Sequence, residues 1–320
     1  MFMAIPLVRF SLEGQKKWGI LENNEIYPLS LKNGNLSTLL EISVSMLQNL
    51  CESSSLPWES AEIVCPLDTP CQIICQGKNY LEHLQETGFR KEEKDFNLLF
   101  SKASSSLTGP YGPVIRPKEV QLLDYEIELG VVIGKGLTKP RSFQRDQLLE
   151  AVYGLVIAND ISARDIQLPQ RQWFKGKSYP TFCPVGPWIL ALEEEDLPKI
   201  SSLTLELSVN GELRQKAQTS QMIYSIEETL EEISHIFHLY PGDLLLTGTP
   251  GGVALQISEE WKKKVRGLVE KEKWKDFIQN QLQSGRYLKP GDIVEAKIFE
   301  EESEEAVPDE RQVQKGLDLG

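Results

Sequence analysis

Residues 124–134, DYEIELGVVIG, decide how this chain is read. Asp124, Glu126 and Glu128 alternate with Tyr125, Ile127 and Leu129 and lead into Val131, Val132 and Ile133, a period of two that predicts a strand. On such a strand the three acids project to one side. Like charges repel there, and losing hydration is costly unless something positive stands among them. That face is either wet or built around a cation.

Further along, LVIANDISARDIQ (155–167) predicts an apolar strand that delivers Asn159 and Asp160 at its end, followed by polar Arg164, Asp165 and Gln167. A third carboxylate at a strand end, added to Glu126 and Glu128, makes an all-oxygen, net-negative set. Such a set suits a hard divalent cation, Mg²⁺ or Mn²⁺, better than zinc, which favours His and Cys. Three protein oxygens leave positions for water and substrate. The bland alternative makes Asp160 a helix N-cap and leaves the strand acids in solvent; the two segments together favour the cation.

His83 lies in GKNYLEHLQETG (77–88), with Glu86 three residues on and therefore on the same helical face. A carboxylate in that position orients an imidazole and supports its protonated form while the ring takes a proton from water. His235 and His238, in SHIFHL, read as structural. Lys175 and Lys177 precede a buried strand in QWFKGKSYPTFCPVGPWIL, and Lys102 precedes a Ser-rich turn. These lysines are candidates for a substrate carboxylate or a developing oxyanion. Thr249, in PGDLLLTGTPGGVA, ends a strand in a loop whose N–H groups can meet an anion. No GK[ST] signature accompanies it, which disfavours nucleotide binding.

The 320 residues carry a net charge of -13, which argues against nucleic acid or an anionic membrane as partner. No run of 18 apolar residues occurs, and the N-terminal stretch lacks the basic start of a signal peptide, so a cytoplasmic location is expected. Five cysteines, an odd number, read as reduced thiols whose spacing matches no zinc pattern.

The fold class expected is α+β and β-rich. Residues 1–66 form a small N-terminal β-rich domain ending in a helix over 36–51, and 67–320 form a catalytic domain with helices near 142–153 and 225–238. Residues 256–288 interrupt the strands with a charged segment that carries two helical stripes. One is Trp261, Val265, Leu268 and Val269; the other is Trp274, Phe277, Ile278, Gln281 and Leu282. The acidic tail after Phe299 reads as partly mobile.

Taken in order, DYEIELGVVIG, ANDISARDIQ, KSYPTFCPVGPWI, VNGELRQ and GDLLLTGTPGGV resemble the fumarylacetoacetate hydrolase family. The likeness runs from about residue 73 to 253, resumes at LKPGDIVEAKI, and extends to the N-terminal RFSLEGQKKWGILENNEIYPLS. The resemblance implies a mixed β-sandwich roll, a homodimer, and a Mg²⁺ or Mn²⁺ site acting on a small-molecule 2-oxo acid. It assigns the metal to Glu126, Glu128 and Asp160, and matches His83–Glu86 to the dyad of members that hydrolyse acylpyruvates. Arg164, Gln167 and Lys177 match polar residues around the substrate, and Lys102 and Thr249 a more peripheral set. Asp124 is not a ligand in that pattern and is placed at the rim.

The expected reaction is hydrolytic cleavage of a carbon–carbon bond in a β-diketo acid, with the resulting enolate stabilised at the cation. Water activated by His83–Glu86 attacks, while Lys177 and Gln167 steady the oxyanion. Isomerisation, tautomerisation or decarboxylation on the same site is the alternative, and a silent binding scaffold the rival of another class. The 256–288 insertion, absent from compact members, is expected either to cap the pocket or extend a dimer interface, or to decorate a remote surface.

Overall fold

The computed structural model describes residues 4–86, 96–264, 269–300 and 312–318. Ile127–Ile133 pairs antiparallel with Val152–Asn159, with Ile127 opposite Asn159 and Gly130 opposite Val156. Every residue of both strands is buried, so these strands are covered on both faces. The acids of the alternating stretch therefore face protein, and the wet reading fails.

This pair sits within an 11-stranded mixed sheet. Leu244–Leu246 runs antiparallel to Ile127–Ile133 and parallel to Ile73–Gly77, which in turn pairs with Leu98–Lys102 at the edge. On the other side Trp188–Ala191 joins Val152–Asn159 to Ile5–Leu12, and Gln15–Glu22 and Glu25–Pro28 follow. The N-terminal strands thus continue the catalytic sheet. Leu7, Trp18 and Ile20 share one core with Val132, Val156 and Ile189.

A five-stranded sheet of Glu212–Gln218, Leu203–Val209, Ile293–Glu300, Gln312–Asp318 and Val114–Arg116 faces the large sheet. Leu205 and Leu207 from the small sheet and Leu129 and Val131 from the large one lie in one apolar cluster. Each such side chain contributes roughly 1.5–3 kcal/mol on burial. The architecture is the expected β-rich α+β class, with two facing sheets and, among the described residues, no closed barrel.

Local expectations differ from the structure in three places and hold in a fourth. The segment 36–51 breaks into Leu36–Leu40, Val44–Leu47 and a 3₁₀ turn at Gln48–Leu50, because Ser43 adopts an extended conformation between them. Near 142–153 only a 3₁₀ helix, Arg145–Glu150, forms before the strand begins. Ile226–Ile236 is helical as expected, capped by Ser225 and Glu228 in a reciprocal box. Part of the acidic tail is a strand, since Gln312–Asp318 pairs with Ile293–Glu300 and, in parallel, with Val114–Arg116. Residues 301–311 of that tail lie outside the described residues.

The insertion holds the two helices Glu259–Lys264 and Glu270–Leu282. Trp261 and Phe277 stack edge to face at 5.2 Å and belong to the main core, whereas Val269 is exposed at the second helix's N-cap. Val265 and Leu268 of the first stripe lie outside the described residues.

Candidate metal centre and active site

The strand pairing assembles the acids. Asp160 follows the last residue of its strand and donates its N–H to Glu126 O at 2.8 Å, while Asn159 Oδ1 accepts the Glu126 N–H at 2.9 Å. Glu128 lies two residues on, along the same face. Carboxylate oxygens of Glu126, Glu128 and Asp160 all lie within 4.8 Å of one another, and all three residues are buried. Among the described residues no other group of three or more His, Cys, Asp or Glu side chains comes so close. The five cysteines are free thiols, and burial pushes Cys65 up to about 11 and Cys71 up to about 12.

Three cationic side chains thread this acidic cluster. Lys177 Nζ donates to Glu126 Oε2 and to Asp160 Oδ2, each at 2.5 Å. Lys102 Nζ donates to Asp160 Oδ1 at 2.5 Å and to Ile161 O at 3.3 Å. Arg164 pairs with Glu126 through Nη2 and with Asp124 through Nε at 2.8 Å. Burial alone would raise the Glu126 carboxyl, but Arg164 and Lys177 override it and hold it well below the usual carboxylate range. Burial likewise works against the Lys177 charge, yet Asp160 and Glu126 keep its ammonium above its ordinary value.

Glu128 is different. It accepts the Gly248 N–H at 2.7 Å, and among the described residues no lysine or arginine forms an ion pair with it. Burial, with Asp160 and Glu126 alongside, pushes its carboxyl well above the usual range. A buried carboxylate left without a cation beside two others is the chemistry of a divalent-cation site, and the all-oxygen donor set fits a hard ion.

Asp124 is not at the rim as expected: it is fully buried. Its Oδ1 accepts N–H groups of Tyr125 at 2.8 Å and Ala254 at 2.7 Å; its Oδ2 accepts Leu255 N–H at 3.0 Å besides Arg164. It ties the loop after Pro250 to the strand and aims the arginine that neutralises Glu126.

His83 and Glu86 occupy the helix Leu81–Glu86, with His83 Nδ1 3.6 Å from Glu86 Oε2. Both atoms are buried and neither has a hydrogen-bond partner. Glu86 Oε1 is held by the Gly252 N–H and by Gln256 Nε2, each at 2.9 Å. His83, Glu126, Glu128, Arg164, Gln167, Lys177 and Thr249 open onto one cavity of about 270 Å³. Gln167 gives its amide oxygen to Arg164 Nη1 at 3.0 Å, so its NH₂ end remains for a ligand. Thr249 Oγ1 accepts from Gln215 Nε2 at 2.7 Å, which leaves its own proton to donate.

Lys102 stands behind Asp160 and not on the cavity wall, so its contact is with that candidate metal ligand. Lys175 is exposed, and His235 and His238 lie on the surface.

Sequence reasoning missed several parts of the site. Lys78 lines the cavity with a left-handed φ of 57°, and burial lowers its ammonium to about 8. A non-glycine residue in that conformation is strained and is held there by its surroundings. Arg171 also lines the cavity in a left-handed conformation, at the C-cap of Arg164–Gln170. Phe100 and Trp173 meet edge to face at 4.9 Å on the apolar wall, where Lys177 lies 5.3 Å from the Phe100 ring centre. Leu255 and Ile257 complete that wall, so the insertion begins inside the site. Of these only the GKN turn around Lys78 carries a local signal; the rest is set by distant packing.

A family model described as fumarylacetoacetate (FAA) hydrolase C-terminal matches residues 72–312. The chain belongs to the fumarylacetoacetate hydrolase family. Oxaloacetate tautomerase Fahd2a, mitochondrial, of Rattus norvegicus is 38% identical over 201 residues, covering 62% of each chain. The match thus spans less than two thirds of that relative's length. Fumarylacetoacetate hydrolase domain-containing protein 2 of Pongo abelii is 37% identical over 263 residues, 79% of this chain and 81% of its own. Among solved structures of the fumarylacetoacetate hydrolase family, the enzyme of Exiguobacterium antarcticum superposes with a TM-score of 0.75 at 28% identity, covering 98% of this chain and 99% of that one. The 2-hydroxyhepta-2,4-diene-1,7-dioate isomerase of Mycobacterium marinum shares the fold with a TM-score of 0.70 at 24% identity, over 99% of each chain. No helix among the described residues is long and apolar enough to cross a membrane.

Proposed function

We propose that the protein is a tautomerase or isomerase of a 2-oxo dicarboxylic acid such as oxaloacetate, working with Mg²⁺ or Mn²⁺ held by Glu126, Glu128 and Asp160. The observation that carries this reading is that His83, with Glu86 behind it at 3.6 Å, opens onto the same cavity as Glu126 and Glu128 of the carboxylate cluster. A proton carrier thus faces a site for the oxygens of a 2-oxo acid. The names of the relatives, a tautomerase and a dienedioate isomerase, favour proton relocation over bond cleavage.

When bound, the cation supplies positive charge for the 1-carboxylate and 2-oxo oxygens. The remaining work falls to this chain's side chains. His83, oriented by Glu86, removes a proton from the carbon next to the 2-oxo group, and the proton is returned at oxygen to give the enol. Lys177 and the NH₂ of Gln167 donate to the oxygen that gathers charge. Lys78 and Arg171, both on the cavity wall, receive the second carboxylate. Phe100, Trp173, Leu255 and Ile257 limit water around the reacting carbon.

Cleavage of an acylpyruvate is the second reading, favoured by the His83–Glu86 geometry, which equally suits activation of water. A homodimer is part of the same proposal, resting on family resemblance and tested by light scattering.

The deciding experiment follows enol–keto conversion of oxaloacetate, isomerisation of a hydroxydienedioate and cleavage of an acylpyruvate, each with Mg²⁺, Mn²⁺ and chelator. His83→Ala should lose roughly 10²–10⁴-fold in turnover while still binding the cation. Full activity in that variant would overturn the assignment of the proton carrier, and cleavage without isomerisation would select the second reading.

A further inference from the structure

Gln281 stands in the core-facing stripe of the insertion helix Glu270–Leu282, where the pattern calls for an apolar side chain, and it is only 4% exposed. A buried amide is tolerated when every polar atom finds a partner. Here each does. Nε2 donates to Gln256 O at 2.6 Å, and Oε1 accepts the Gln256 N–H at 3.3 Å and the Tyr287 hydroxyl at 2.6 Å. Two of these three bonds grip the main chain of one residue, so the amide's specific effect is to fix Gln256.

Gln256 in turn grips Glu86. Its Nε2 reaches Glu86 Oε1 at 2.9 Å, and the next residue, Ile257, donates its N–H to Glu86 O at 3.2 Å. With the Gly252 N–H also on Oε1, one carboxylate oxygen is saturated and the side chain cannot rotate freely. The other oxygen is left facing His83 Nδ1.

We infer that the 256–288 insertion belongs to the catalytic apparatus: Gln256, locked by Gln281, is a positioning residue that holds Glu86 in register with His83. The inference rests on the reading of His83 as proton carrier. It replaces a remote decoration with a buttress beside the cavity, since Trp261 and Phe277 anchor the insertion in the main core. Loosening Gln256 frees Glu86 to swing away from the imidazole without touching Glu126, Glu128 or Asp160.

The test uses the full chain with Mg²⁺ and the variants Gln256→Ala, Gln281→Leu and Glu86→Gln. Gln256→Ala and Gln281→Leu should each lower kcat roughly tenfold, as expected for displacement of a group that orients a catalytic one, with KM and cation affinity within about twofold of the parent. Placed in the Glu86→Gln background, Gln256→Ala should lower kcat no further. A direct readout accompanies the kinetics. The chain has 3 histidines, so the His83 ring resonance can be assigned by His83→Asn, and in Gln256→Ala it should move toward its position in Glu86→Gln.

Parental kcat and an unmoved His83 resonance in Gln256→Ala overturn the inference, as does a loss of kcat that persists undiminished in Glu86→Gln. If the parent turns over none of the substrates, the functional proposal fails on its own, and the His83 resonance alone decides whether the buttress exists. Gln256→Ala, at an exposed side chain, decides the matter if Gln281→Leu does not fold.

Discussion

Arg164 Nε lies 2.8 Å from Asp124 Oδ2, and both side chains are buried. The pair is the hinge between the acidic cluster and the loop after Pro250, because Asp124 also accepts the N–H groups of Ala254 and Leu255. Removing one partner of a buried ion pair leaves an uncompensated charge, at a cost of about 3–5 kcal/mol. Asp124→Ala should therefore lower the urea midpoint by that equivalent and disorder the cavity wall at Leu255. An unchanged midpoint would show that Arg164 finds its compensation in Glu126 alone.

Glu128 sets the response of the metal-free protein to pH. Its carboxyl is raised in the folded state, so the folded protein holds that proton more tightly than the unfolded chain does. The associated stability is present at low pH and is lost as pH rises through the raised value. Adding Mg²⁺ or Mn²⁺ should reverse the loss, by about 2.7 kcal/mol at a hundred times Kd. Glu128→Gln should raise the melting temperature of the metal-free protein and abolish the stabilisation by metal. Calorimetric scans with chelator and with metal check both, and a variant still stabilised by the ion would remove Glu128 from the ligand set.

Lys78 predicts the alkaline behaviour of substrate binding. Its ammonium is lowered to about 8, chiefly by burial, so its positive charge is present below that pH and lost above it. If it receives the distal carboxylate, KM for a dicarboxylate should climb about tenfold per pH unit beyond about 8. Lys78→Arg should keep KM flat to about pH 10, since guanidinium stays protonated. Lys78→Met should show the high KM at every pH. A monocarboxylic 2-oxo acid, measured alongside, should be insensitive to all three conditions.

Gly248 has a φ of 91°, and a Cβ built there would lie 2.7 Å from Asn79 Cβ. Its N–H is the hydrogen bond to Glu128, while Asn79 Nδ2 holds the neighbouring Thr247 O at 2.9 Å. Gly248→Ala should force the loop away from Asn79 to relieve the clash, against a strained φ, and carry the Glu128 donor with it. The expected signature is metal affinity weakened about 10–100-fold, as for loss of a group that supports a ligand. Isothermal titration with Mn²⁺ measures this directly, and parental affinity would count against the loop as a support.

The parts of the site that were legible in the sequence are those fixed by local periodicity. Alternation placed Glu126 and Glu128 on one face, helical spacing placed His83 over Glu86, and the apolar run ending at Asn159 delivered Asp160. What escaped depends on pairings across long sequence separations. Asp124 takes its partners 130 and 131 residues away, and Gln215 reaches Ile127 N–H from 88 residues away. No window of sequence contains both members of such a pair. The tail showed the same limit: its charge suggested mobility, whereas the edges offered by Ile293–Glu300 and Val114–Arg116 order Gln312–Asp318.

The parallel pairing of Leu244–Leu246 with Ile73–Gly77 decides where variation can enter. Both strands run out at the same end of the sheet, so the turn carrying Lys78 and the turn carrying Thr249 leave side by side. The neighbouring antiparallel strands bring Glu126 and Asp160 to that same end. The candidate site residues Lys78, Glu126, Asp160 and Thr249 are thereby gathered at one rim of the sheet. A lineage can lengthen, exchange or recharge the turns at the working rim without disturbing the strand register. The helical segment just after Leu255 is placed where such an edit reaches Glu86 without changing the strand register that brings Glu126, Glu128 and Asp160 together.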